Sequence, residues 1–291
     1  VVLHKFLRAI GFSDFKKKDL EIIIKEIIDK PQVSRVVKDT EGNEFAELSR
    51  EYSNGLGLKI LGNYIDENSF QVDNYFPYYL GESLSTQEKI EVEKHYDKES
   101  YAGICDDAKL GITLIFHLQN TADYLAEHNS NFSSNIYGAY LAGLSTDGKI
   151  LLPIKQAVSK EKEYSRAQKR SELVTKAIDG NQEAIDSLAL EDMDTYSLLS
   201  KRIAKEDVLS IVATSMVPYG IENDLYNIIA EILDVNKMKN SLTDESVYIL
   251  KVSCNELVFD VCINEKDLLG EPAVGRRFKG NLWMQGSINL D

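Results

Sequence analysis

Cysteine is scarce: Cys105, Cys254 and Cys262 are the only three in 291 residues, and no two form a CxxC pair. An odd, sparse set excludes a disulfide framework and fits a reducing cytoplasm. Histidine is nearly as rare. His4, His95, His117 and His128 include no pair at metal-ligand spacing and no HExxH, so no zinc site is encoded locally. No apolar run approaches the roughly 18 residues that a membrane-spanning helix needs. The first residues, VVLHKFLRAIGF, carry charge too early for a signal-peptide core. Glycine makes no nucleotide cradle. Asn54-Gly55-Leu56-Gly57 precedes a strand pattern rather than a helix, and the stretch from Gly270 to Gly280 has no GK[ST] ending. Positive charge is also short: 33 Lys and Arg face 47 Asp and Glu, a net charge of −14. Such a surface repels phosphate backbones and anionic membranes, which disfavours both as partners.

Apolar residues are plentiful, at 43% with 9% aromatic, so a buried core is assured and disorder is excluded. The length suggests two or three folding units. Asp14 to Lys30 reads as a helix, with Leu20, Ile23, Ile24, Ile27 and Ile28 on one face and Pro31 as its stop. Strand-like segments follow at Val33 to Lys38, Glu44 to Tyr52, Gly57 to Tyr64, Ser69 to Tyr78 and Glu88 to His95. Tight turns separate the first four, as in an antiparallel meander. Gly111 to His128 is expected to be a helix against that meander, although the β-branched content of its opening also suits a strand. Tyr137 to Ser145 and Lys149 to Ile154 are expected to pair around a turn at Asp147-Gly148.

From Ala157 to Lys205 the chain is charge-rich and reads as a helical connector, with one of its helices at Gln182 to Leu188. Beyond it, Val208 to Val217, Leu225 to Val235, Ser246 to Cys254, Glu256 to Ile263 and Arg276 to Gln285 have strand character, with Asn255 as a turn. The second of these also fits a helix face. Together they predict an α+β protein. Residues 1–156 would form an N-terminal antiparallel sheet with packed helices, 157–206 a helical connector, and 207–291 a small five-stranded barrel of the oligonucleotide/oligosaccharide-binding type.

No catalytic signature is visible. The basic-aromatic group Arg276, Arg277, Lys279 and Trp283 is the one candidate ligand or partner surface: alternate strand positions could offer guanidinium groups and an aromatic face. The bland reading pairs the arginines with carboxylates and buries Trp283. Cys105-Asp106-Asp107 has a thiol beside two acids, but adjacent negative charge suppresses a thiolate, and capping of a following helix accounts better for the aspartates. His117 lies in an apolar run, where a hydrogen-bonded core histidine is the ordinary role. The acidic clusters Glu191-Asp192-Met193-Asp194 and Glu222-Asn223-Asp224 lack the calcium-loop pattern and read as helix starts or solvated faces. The aromatics of Tyr75-Phe76-Pro77-Tyr78-Tyr79 read as strand-end packing, with a partner surface as the alternative.

Several phrases carry a resemblance: HKFLRAIGF from His4, AGICDDAKLGITLIFHLQN from Ala102, DGKILLPI from Asp147, LEDMDTYSLLSKRI from Leu190 and FDVCINEKDLLGEPAVGRRFKGNLWMQG from Phe259. Together they resemble a family of bacterial proteins, from anaerobic Gram-positive bacteria, known only as a domain of unknown function. The resemblance spans essentially the whole chain and implies a bacterial cytoplasmic protein, with no activity, cofactor or catalytic residue attached. The sequence therefore predicts a non-enzymatic binding or scaffold protein with a protein partner and neither cofactor nor metal. One alternative is a hydrolase with an inter-domain site near Asp106, Asp107 and His117; another is a nucleic-acid reader acting through the barrel.

Overall fold

A computed structural model describes residues 2–39, 42–66, 69–94, 100–107, 112–129, 136–154, 173, 181–190, 193, 212–220 and 224–290. Val1–Leu152 together with Thr214–Asp291 makes one compact unit, and Pro153–Ala213 a second. In the second, 182–190 is helical where the sequence placed Gln182 to Leu188. The rest of the expected connector, including Glu191, Asp192 and Asp194, lies outside the described residues apart from 181 and single helical positions at 173 and 193.

The first unit is dominated by strands. A two-turn 3₁₀ helix, Lys5–Ile10, ends at Gly11, whose left-handed φ of 88° lets its N–H close on Arg8 and Leu7 carbonyls. Helix α1, Lys17–Asp29, buries Leu20, Ile23, Ile24 and Ile27, the face foreseen from their spacing. Strands β1 (Val33–Lys38), β2 (Glu44–Ser53), β3 (Leu56–Asp66) and β4 (Ser69–Tyr79) form a four-stranded antiparallel sheet in chain order. The expected meander is there.

The remainder corrects the expected α+β architecture of a helix-packed sheet and a small separate barrel. The structure is mostly β, and its ten further strands belong to one sheet. These are β5 (Leu84–Lys94), β6 (Tyr101–Asp107), β7 (Ile112–Leu118), β8 (Ile136–Leu151), β9 (Ser215–Pro218), β10 (Leu225–Lys239), β11 (Ser246–Cys254), β12 (Leu257–Asn264), β13 (Leu268–Leu269) and β14 (Arg277–Ile288). The helix expected over Gly111 to His128 is the strand β7 followed by helix α2, Thr121–Asn129. In ITLIFHL the strand prevails because β6 and β14 pair with it, while Leu114, Phe116 and Leu118 on one face fill the core. The hairpin expected at Asp147-Gly148 is also absent. β8 runs straight through, with Gly148 opposite Gly280 of β14.

β8 and β14 organise this sheet. Pairings run from β8 through β12, β11, β10 and β14 back to β8, and separately from β8 through β5, β6, β7 and β14 back to β8. Both circuits share the β8–β14 pair. Ile136 to Tyr140 of β8 bond β5, and Ala142 to Ser145 bond β12. The segments assigned to a C-terminal barrel thus close only by borrowing β8 from the N-terminal half. Closure satisfies backbone groups that an open sheet would leave at its rims. Four of those segments are strands at nearly the foreseen positions, and Asn255 and Glu256, with φ of 49° and 68°, make the tight β11–β12 turn.

Candidate functional site

The basic-aromatic group lies on β14 and its approach. β14 pairs β8 along one edge and β10 then β7 along the other, so its side chains face packed neighbours. Arg277 is buried and donates through Nε and Nη2 to Leu152 O at 3.0 and 2.9 Å. Burial lowers its pKa. Arg276 Nη1 donates to Glu271 O at 2.6 Å. The two arginines thus each hold a backbone carbonyl, on two different segments. Lys279 is half-exposed, opposite Ile229 and Lys149. Trp283 is buried, and its Nε1 donates to Asp224 Oδ2 at 2.7 Å. Around its indole lie His4 at 4.7 Å, His117 at 5.0 Å, Phe6 at 5.4 Å and Phe76 at 6.4 Å between ring centroids. This aromatic group draws on four segments distant in sequence, so no local motif could announce it.

Asp106, Asp107 and His117 do not converge. Asp106 and Asp107 end β6, and the next described residues form the strand β7. Alternation along the strand sends them to opposite faces. Asp106 accepts from Thr113 Oγ1 at 2.6 Å on the surface, while buried Asp107 accepts from Thr86 Oγ1 at 3.0 Å. The β6–β7 register sets His117 opposite Ala102 and Asp106 opposite Thr113, which separates them by about 13 Å along the strand. His117 packs edge-on against Phe76, 4.5 Å away. Cys105 is buried, with its Sγ 3.9 Å from Thr86 Oγ1, and desolvation raises its pKa. Among the described residues, no three His, Cys, Asp or Glu side chains gather as metal ligands, and no helix is long and apolar enough to cross a membrane. His95, Glu222 and Asn223 lie outside the described residues.

A polar network that the sequence did not reveal ties the two sheets together. Lys59 Nζ lies 2.5 Å from Glu47 Oε1 and 2.6 Å from Gln119 O. Glu47 Oε2 also accepts from Ala122 N at the start of α2. Gln119 Nε2 donates to Tyr79 O and Gln285 Oε1, and Gln285 Nε2 donates to Pro77 O. Charge and amide dipoles are matched within the fold, which is the arrangement of a strut.

At β1 most of the outer backbone edge is unpaired among the described residues. This strand ends the four-stranded sheet and, among those residues, pairs with β2 alone, in an unshifted register from Val33↔Ser49 to Lys38↔Glu44. Asp39 N donates to Asn43 O, the next rung of the ladder. Antiparallel rungs alternate, so Val33, Arg35 and Val37 bond β2 while Ser34, Val36 and Lys38 turn their N–H and C=O outward. Asn129 Nδ2 occupies the Lys38 carbonyl. Among the described residues no strand pairs with this outer edge. Val33 and Val36 are 47% and 50% exposed. By contrast β9, at the end of the other sheet, spans four residues and closes on Pro218, a residue that blunts an edge.

Residues 7–286 match the model of a family described as "Domain of unknown function, E. rectale Gene description (DUF3881)". The match bears out the resemblance carried by the five phrases. No curated protein and no solved structure matches the chain.

Proposed function

Because the chain belongs to the DUF3881 family, a domain of unknown function, its role has to be argued from geometry, and we propose that it is a non-enzymatic cytoplasmic protein that binds another protein. The observation that carries this reading is the outer edge of β1: a regular strand with outward backbone groups and two exposed valines. Edges of this kind attract a partner strand unless something blunts them. Three free, buried thiols suit a reducing compartment.

Native co-purification of the tagged protein, read by mass spectrometry, tests the proposal. A stoichiometric protein partner that survives washing is the expected result. Turnover of a substrate from a broad hydrolase panel by the purified chain, scaling with enzyme and lost on heating, would overturn it.

A further inference from the structure

We infer that β1 is a strand-addition site for an extended, acidic segment of a partner protein, which docks as a fifth strand beside Val33–Lys38. The inference rests on the protein-binding reading above and adds the mode of binding and the chemistry of the partner.

The mode follows from the ladder. Ser34 and Val36 each present an outward N–H and C=O, and Lys38 adds an outward N–H. Such groups accept an extended chain with any side chains, so specificity must come from what stands opposite each position. β1 lacks the proline, bulge and shortness that protect edges elsewhere.

The chemistry follows from charge. Residues 30–38 hold Lys30, Arg35 and Lys38 and no acid, in a chain of net charge −14. All three are exposed. Arg35 is held by Asp123 at 2.9 Å, a surface contact that leaves other guanidinium donors for a second carboxylate. The overall negative charge does not defeat local attraction, because screening confines interactions to about 8 Å at physiological salt. A second copy of β1 is disfavoured on the same ground, since it would set one basic edge against another. An antiparallel partner should therefore read acid opposite Lys38, any residue, apolar opposite Val36, acid opposite Arg35, any residue, apolar opposite Val33.

The test uses the full chain and a fluorescent peptide with the core Glu-Thr-Val-Glu-Thr-Val, beside a control with lysine for glutamate. The acidic peptide is expected to bind at least tenfold tighter than the control, with affinity falling severalfold as salt rises from about 50 to 500 mM. Hydrogen exchange at the Ser34, Val36 and Lys38 amides should slow on binding, with no variant required. Val36→Pro removes one outward donor, leaves the β2 rungs intact and should abolish binding; Lys38→Glu should weaken it about tenfold. Equal binding of both peptides, or no protection of those amides, would overturn the acidic-strand inference. If neither peptide binds but co-purification still yields a partner, the inference fails while the protein-binding reading stands. A dimer of the chain that Val36→Pro dissociates would also overturn the inference, with a second copy as the occupant.

Discussion

The Lys59 ammonium sits 2.5 Å from the Glu47 carboxylate, and the two side chains are only 10% and 8% exposed. A buried pair like this holds little net stability over an apolar pair, but removing one member strands the other in low dielectric. Lys59→Met should cost about 3–5 kcal/mol, and Glu47→Leu a similar amount. The double substitution should recover most of that loss. Urea denaturation of the four proteins checks it, and additive losses would show that the charges act independently.

Two buried tyrosines make opposite predictions. Tyr226 Oη accepts from Ile115 N at 2.8 Å and donates to Ile115 O at 3.0 Å, so a side chain of β10 does the work of a strand beside β7. Tyr226→Phe orphans both backbone groups and should cost about 1–3 kcal/mol. Among the described residues the buried Tyr52 hydroxyl has no hydrogen-bond partner, and burial pushes its pKa up to about 12. Tyr52→Phe should therefore be neutral or slightly stabilising. Equal losses in the two variants, measured by thermal melting, would contradict this contrast.

Gly148 shows what a dipeptide pattern conceals. A Cβ there would lie 2.5 Å from the Phe278 ring and 2.6 Å from Ile263. The glycine serves close packing across β8 and β14, not a turn. Gly148→Ala should destabilise by about 1–3 kcal/mol through overpacking, with a lower urea midpoint at unchanged slope. Gly42 has open space around its position. It would lose stability on the same substitution only through its left-handed φ of 86°.

That contrast marks how far the sequence could be read. Period and turn chemistry are local, so α1, the four-strand meander and the β11–β12 turn at Asn255 were legible. Strand against helix in ITLIFHL was not, because the choice depends on β6 and β14 coming to flank it. Nor was the run of β8 through Asp147-Gly148, which depends on Phe278, more than a hundred residues away in the chain. The sharing of β8 between two circuits has no local trace, and so the C-terminal strands looked self-sufficient. At the candidate site, the exposed valines and basic residues of β1 were visible as residues. Their meaning appeared only once β1 proved to be the end of its sheet. Trp283, read as a possible binding face, was given neighbours by three other segments that no spacing rule connects.

Asp260 gives the protein a pH signature of definite sign. It is 2% exposed, and desolvation raises its pKa despite the Glu82 N–H at 2.9 Å and the attraction of Lys251. A carboxyl whose folded pKa exceeds its unfolded value of about 3.9 favours the fold when protonated. Its contribution is fully present below the unfolded pKa and is lost as pH rises through the folded one. Glu245 runs the other way. Burial opposes its ionisation, but Lys266, Ser13 and Asn264 outweigh that and lower its pKa, so its contribution is lost as pH falls. Asp260→Asn keeps an oxygen for the Glu82 N–H and removes the buried charge. The variant should exceed the parent in urea midpoint at pH 7, and the difference should vanish toward pH 4. A variant less stable than the parent at pH 7 would mean that the Lys251 attraction outweighs desolvation and that the sign is reversed.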